Sequence, residues 1–235
     1  MPGLVDMPSA QSTPDAELSF SVSQSGESLR NTLTFQIAPR LTGAFRYSSI
    51  ERPQGTLYDR SFDLRYRLLD ETHLRPAVAA GLQDFIGTGV YSGEYVAASK
   101  TFGPVVATAG IGWGRLGSHN SFDNPLGVIS SRFDTRDAGY TGTGGRIESA
   151  RWFRGPAAFF AGFAWPVTDK VTLKAEYSSD AYTKEVSYGH FEHRSPFNLA
   201  LDYQIKPTVQ LTAYGKAAGR DLPYVIAPRR AGDVP

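Results

Sequence analysis

Four side chains in the segment 190–195 have the types that do chemistry: His190, Glu192, His193 and Ser195. Two imidazoles and a carboxylate are zinc donors, and Ser195 next to His193 has the make-up of a nucleophile and its base. Zinc takes three or four well-placed donors, and a nucleophilic serine needs a histidine oriented by a third group. No regular element spans 190–195 to hold either geometry, so an exposed loop with incidental histidines is the plainer reading. No metal and no cofactor are expected. The run Gly139 to Gly145, Gly-Tyr-Thr-Gly-Thr-Gly-Gly, could cradle a phosphate only between a strand and a helix. Neither flanks it, and a flexible loop is expected.

Arginine outnumbers lysine 18 to 6, and Arg115, Arg132, Arg136, Arg146, Arg151 and Arg154 all lie in or beside the stretch 115–155. A guanidinium fork suits phosphate and carboxylate. Arg132, Arg136, Arg146 and Arg151 are therefore candidate contacts for an acidic glycan or a phosphorylated lipid. Asp123, Asp134, Asp137 and Glu148 offset much of that charge, which leaves salt bridges within the loop as the competing reading. Overall, 24 basic residues face 23 acidic ones, so no broad positive field exists to bind nucleic acid. The absence of cysteine excludes disulfides, thiolate metal sites and cysteine nucleophiles.

The elements that must position these groups read as strands. Phe62, Leu64, Tyr66 and Leu68 alternate with Ser61, Asp63, Arg65 and Arg67, so one face is apolar and the other ionic. Phe197, Leu199, Leu201 and Tyr203 oppose Asn198, Ala200, Asp202 and Gln204 in the same way, and Val171 to Ser179 sets Lys174 and Glu176 against Leu173 and Tyr177. Further segments fall at 18–23, 32–37, 41–49, 76–85, 94–101, 105–114, 157–165, 209–214 and 222–227. No comparable 3.6-residue stripe occurs, and the apolar stretch Ala157 to Val167 falls well short of the roughly 18 residues of a spanning helix.

Connections alternate in length. Those at 38–40, 69–73, 102–104, 166–170 and 205–208 are short, while 50–58, 86–93, 115–155 and 180–196 are longer. Short and long connections thus segregate to opposite ends, the pattern of an outer-membrane barrel with tight periplasmic turns and longer external loops. The expected fold is all-β: a single antiparallel up-and-down transmembrane barrel of about twelve strands, with one long external loop near 115–155. Residues 1–16 form an N-terminal periplasmic segment, 17–227 the barrel and 228–235 a C-terminal tail. In such a barrel Asp63, Arg65 and Arg67 line the lumen, as do Lys174, Glu176, Asn198 and Asp202. Arg46, Gln83, Glu94 and Lys100 are further lumen candidates, although Val96 and Ala98 between the last two leave the direction of their face open. At this size, charges crossing the lumen or the long loop plugging it are expected in preference to a wide pore. Tyr47, Tyr58, Phe85, Tyr95, Trp113, Trp165, Tyr177 and Tyr203 lie near strand ends, as interfacial aromatics do.

Several in-order motifs between Gly3 and Tyr203 resemble one family. They are the opening Gly3-Leu4-Val5-Asp6-Met7-Pro8-Ser9-Ala10, the charged strand Tyr58-Asp59-Arg60-Ser61-Phe62-Asp63-Leu64-Arg65 and the hairpin Gly81-Leu82-Gln83-Asp84-Phe85-Ile86-Gly87-Thr88-Gly89. Glu94-Tyr95-Val96-Ala97-Ala98-Ser99-Lys100, Gly110-Ile111-Gly112-Trp113-Gly114-Arg115-Leu116-Gly117, Asn124-Pro125 and Lys174-Ala175-Glu176-Tyr177 continue the match. Together they resemble the YjbH family of outer-membrane exopolysaccharide and capsule biosynthesis proteins. The resemblance implies a Gram-negative outer-membrane barrel encoded with polysaccharide-export machinery. Family members are commonly longer, with a second β-rich half, and often lipoproteins, whereas this sequence has no cysteine to carry a lipid.

These readings converge on a non-enzymatic outer-membrane protein assisting exopolysaccharide or capsule export or secretion. Its expected partners are outer-membrane lipid, lipopolysaccharide, polysaccharide and other export-machinery proteins. An outer-membrane hydrolase acting on lipid or glycan is the second reading, motivated by the loop histidines and serines. A soluble β-sandwich binding module is the third.

Overall fold

The computed structural model describes residues 3–25, 28–139, 145–189, 192–216 and 224–228, with backbone alone for Lys216 and 224–228. Strands run β1 (Leu18–Ser25), β2 (Ser28–Ala38), β3 (Leu41–Ile50), β4 (Leu57–Leu69), β5 (Ala77–Gln83), β6 (Ile86–Gly87), β7 (Gly93–Phe102), β8 (Val105–Gly114) and β9 (Arg146–Ile147). They continue as β10 (Ala157–Pro166), β11 (Val171–Tyr177), β12 (Phe197–Lys206), β13 (Val209–Lys216) and β14 (Tyr224–Pro228), with a short helix α1 (Thr183–Ser187) before β12. Twelve of the strands form one antiparallel sheet in which each pairs with its neighbour along the chain. The two-residue strands β6 and β9 pair separately, among the longer connections. The first strand meets the last at Val22↔Ile226 and Ser23↔Val225, so the order is cyclic.

The alternation seen in the sequence sorts the two faces. On β4, Tyr58, Phe62, Tyr66 and Leu68 are exposed and point outward, while Asp59, Ser61, Asp63 and Arg65 are buried inside. β12 repeats this with Phe197, Leu199, Leu201 and Tyr203 outside and Asn198, Ala200 and Asp202 inside. The apolar face is thus the outer one, the reverse of a soluble protein, in which the largest exposed apolar patch is only a few hundred Å².

Glycine admits bulky groups where the interior is crowded. A Cβ on Gly81 would lie 2.4 Å from Cζ of Tyr95, and one on Gly110 would lie 2.2 Å from Cζ of Phe160. Tyr95 is therefore an interior residue, 1% exposed, and not part of an interfacial belt. The cross-strand register places it opposite Gly81 and Gly112, and parity carries its ring inward.

The same parity turns Glu94 and Lys100 away from the interior. Glu94 shares the face of Leu82 and Trp113, and Lys100 follows two and four residues behind Ala98 and Val96 on that face. Alternation alone left this strand undecided because Val96 and Ala98 differ little in polarity from Tyr95 and Ala97. Glu94 is still buried, because the long connection 115–156 folds down over it. Arg136 donates from Nη1 and Nη2 to its carboxylate at 2.6 and 3.0 Å, the Phe153 N–H donates at 2.9 Å, and the Phe153 ring meets Trp113 edge-on at 5.2 Å. Beyond Arg115 and Leu116, which turn inward, the long connection thus lies over an outer face, and the interior is filled by another part of the chain.

Candidate functional site

That other part is the N-terminal segment. Residues 3–10, expected outside the strands as a periplasmic piece, lie within the ring, with Leu4, Met7 and Ala10 buried. Leu4 and Met7 pack with Tyr95, Ala97, Leu116 and Phe160 in one apolar cluster, and Ala10 joins Ala77 and Ala79 in another. A short backbone bridge between Gly3 and Pro8 folds the segment back on itself.

Polar groups of the wall then hold its backbone. The carboxylate of Glu176 accepts from the N–H of Val5 at 2.7 Å, of Asp6 at 2.9 and 3.1 Å, and of Met7 at 3.0 Å. Successive amides converging on one carboxylate form an anion-binding nest. Asn198 Nδ2 donates to the same carboxylate at 2.9 Å and to the Tyr182 hydroxyl, which donates to Asp6. On the opposite wall Arg65 donates to the carbonyl of Ser9 and Arg67 to that of Ala10, each at 3.2 Å, and the Ala10 N–H donates to Ser99 Oγ. Glu176, Asn198, Arg65 and Arg67 thus meet around the segment, although their positions in the sequence share nothing but an inward parity.

The remaining inward charges pair among themselves. Arg46 meets Asp63 at 2.7 Å, and Lys174 meets Asp202 at 2.9 Å. These four residues and Gln83 border a cavity of about 800 Å³ beside the segment. Lys100 reaches Glu71 at 3.2 Å near the short turns and does not border that cavity.

At the end of the longer connections a second network covers the interior. Arg115 meets Asp180 at 2.5 Å and Glu185 at 2.7 Å, and Arg30 meets Glu185 at 3.3 Å. Both guanidinium groups lie over the Tyr91 ring, at 4.6 and 4.8 Å from its centre. Burial alone would raise the Glu185 carboxyl, but the adjacent Arg115 and Arg30 outweigh it and hold the group at about 2. Sequence reading missed Arg30, Asp180 and Glu185, since Asp180 sits in an irregular connection and Glu185 in the five-residue α1, too short for a periodicity to mark a facing direction.

Asp84 follows β5 and is buried with one oxygen accepting the Tyr91 N–H at 3.0 Å, while Oδ1 has no protein partner among the described residues. Burial first, then the nearby Asp59 carboxylate, push its carboxyl from 3.8 up to about 8. A folded-state value above the unfolded one contributes stability below about pH 4 that is lost as pH rises through about 8. Asp84→Asn is therefore expected to leave the urea midpoint at pH 4 nearly unchanged and to raise it at pH 9. An identical pH slope in the two proteins would contradict this assignment.

The loop residues divide similarly. Arg136 is taken up by Glu94, and Arg151 by Glu148 at 2.9 Å and the Asp137 carbonyl at 3.0 Å. Arg146 lies in β9, and Arg132 is exposed with no ion pair among the described residues. Ser195 Oγ accepts the Phe197 N–H at 3.2 Å, while the His193 ring lies against His119 and Tyr182. No group of three histidine or acidic residues among the described ones could hold a metal ion, and His190 lies outside them, as does most of the run Gly139 to Gly145.

A cyclic antiparallel sheet with an apolar exterior and a polar interior occupied by its own N-terminal segment defines the class: an all-β antiparallel-sheet protein whose apolar face is the outer one. The family model described as exopolysaccharide biosynthesis protein matches residues 1–223, and the chain belongs to that family, YjbH. It is 34% identical over 214 residues to the uncharacterized lipoprotein YjbH of Escherichia coli K12, covering 86% of this chain and 30% of that protein. The chain thus spans under a third of that relative's length. Among solved structures it is similar to the NanC porin, with a TM-score of 0.45 and 10% identity over 92% of this chain and 99% of that one. Outer membrane phospholipase A from Escherichia coli follows with a TM-score of 0.37 and 11% identity, over 92% of this chain and 91% of that one.

Proposed function

We propose that the chain is a non-enzymatic outer-membrane barrel with a constricted lumen, assisting exopolysaccharide export or secretion. The observation that carries this reading is the outward apolar face on strands of suitable length. β3, β7, β8, β10 and β12 have 10 residues each, against the roughly 9–11 that cross a bilayer when tilted. Each strand of the sheet pairs with its chain neighbours and β1 meets β14 at two residue pairs, which supports the closure that hydrocarbon requires. Membership of a family described by exopolysaccharide biosynthesis supplies the biological direction. Ser195 Oγ engaged by the Phe197 N–H and a His193 ring packed on His119 and Tyr182 support the non-enzymatic reading, and the exposed Arg132 is a loop arginine left for a lipopolysaccharide phosphate.

The reading has a direct test. The full chain should appear in the outer-membrane fraction and migrate faster on gels before boiling than after it. In planar bilayers it should show little steady conductance, because residues 3–10 occupy the lumen. Large steady conductance would sink the constricted lumen, and good solubility without detergent would sink the membrane reading altogether.

A further inference from the structure

The 800 Å³ cavity runs beside the N-terminal segment, and its charged borders are already spoken for. Arg46 is paired with Asp63, Lys174 with Asp202, Arg30 and Arg115 with Glu185, and Glu71 with Lys100. What remains unpaired is neutral. Ser19, Ser21 and Ser23 of β1, Thr32 of β2 and Thr172 of β11 border the cavity, and their hydroxyls have no partner among the described residues. Ser21 and Thr32 face each other across adjacent strands.

The two ends of the cavity differ. At the short-turn end it reaches Gln11 and Glu71, both exposed. At the other end it stops at Tyr91, Arg115 and Asp180, of which Tyr91 and Asp180 are buried and Arg115 is nearly so.

We infer that this cavity binds an uncharged polyhydroxylated chain, a neutral oligosaccharide segment, entered from the short-turn end. The inference rests on the polysaccharide reading above and gives it a ligand class and a side. A neutral sugar exchanges hydrogen bonds with serine and threonine hydroxyls without breaking an ion pair. An anionic glycan would have to displace a carboxylate from Arg46 or Lys174 or lie unpaired near Asp63 and Asp202, which low dielectric penalises.

The test is calorimetric titration of the detergent-solubilised full chain with a panel of neutral hexasaccharides, including maltohexaose and cellohexaose, and with hexagalacturonate. At least one neutral hexamer should bind about tenfold more tightly than the anionic one, the scale of one or two hydrogen bonds gained without a lost ion pair. Ser21→Leu with Thr32→Leu should abolish that binding. Should the leucines prevent folding, judged by loss of heat-modifiable migration, Ser21→Ala with Thr32→Val removes the hydroxyls without added bulk and should weaken binding about tenfold. Equal or tighter binding of hexagalacturonate, no binding of any neutral hexamer, or variants that bind like the parent would each overturn the site. None of these touches the outer-membrane reading, which fails separately if the chain is absent from that fraction.

Discussion

Glu176→Ala is expected to raise single-channel conductance severalfold over the parent chain in planar bilayers. The parent's interior is occupied by residues 3–10, and the Glu176 nest is their strongest polar hold, with three successive amides donating to one carboxylate. Hydrogen bonds to a charged group contribute about 1.5–3 kcal/mol each, but removing the carboxylate also removes its own desolvation cost. A net loss of about 2–4 kcal/mol follows, enough to detach residues 3–7 for a large fraction of the time.

Arg65 and Arg67 still grip the carbonyls of Ser9 and Ala10, so the segment should swing from that point without leaving the ring. Glu176→Gln keeps an acceptor and a similar shape, and its conductance should fall between the two. Limited proteolysis gives an independent reading: the 3–7 stretch should become cleavable in the alanine variant alone. Unchanged conductance together with unchanged protection would show that apolar packing of Leu4 and Met7 suffices to keep the segment in place.

Arg115→Ala should destabilise the fold by about 3–5 kcal/mol, the usual cost of stranding a buried charge. Here Asp180 is stranded, Glu185 loses one of its two guanidinium partners, and a guanidinium stacked on Tyr91 and Tyr182 is lost. Arg30 retains a hold on Glu185 at 3.3 Å, which holds the loss to that range.

The pH dependence distinguishes this from a mere packing defect. In the parent, Glu185 titrates at about 2 when folded against 4.5 otherwise, so its contribution is full above about pH 4.5 and vanishes as pH falls towards 2. The gap between the urea midpoints of parent and variant should narrow over that interval. A gap independent of pH would assign the effect to stacking alone. Arg115→Lys keeps a charge without the planar fork and should recover only part of the loss.

Particular residues show how much of this was open to sequence reading. Phe62 to Leu68 and Phe197 to Gln204 declare their faces outright, because charged and apolar side chains strictly alternate, and all twelve segments read as strands are strands of the sheet. Asp63, Arg65, Arg67, Glu176, Asn198 and Asp202 accordingly point inward where parity placed them. Glu94 and Tyr95 were illegible, because alanine and valine around them supply no polarity contrast. Only pairing with β5 and β8 decides that the tyrosine enters the ring and the glutamate leaves it.

The N-terminal segment shows the limit most clearly. Leu4 to Met7 have neither the length nor the alternation of a strand, and the carboxylate that binds the backbone of Val5, Asp6 and Met7 lies about 170 residues further on. Period-two patterning reports which way a side chain points relative to its own strand, since that is a local property of the pleat. By itself the sequence therefore determined the strands, their order of connection and an ionic inner face. The tertiary structure alone decided that the long connection folds over the outer face and that the N-terminal segment fills the interior, because both depend on partners brought together only when the sheet curls round.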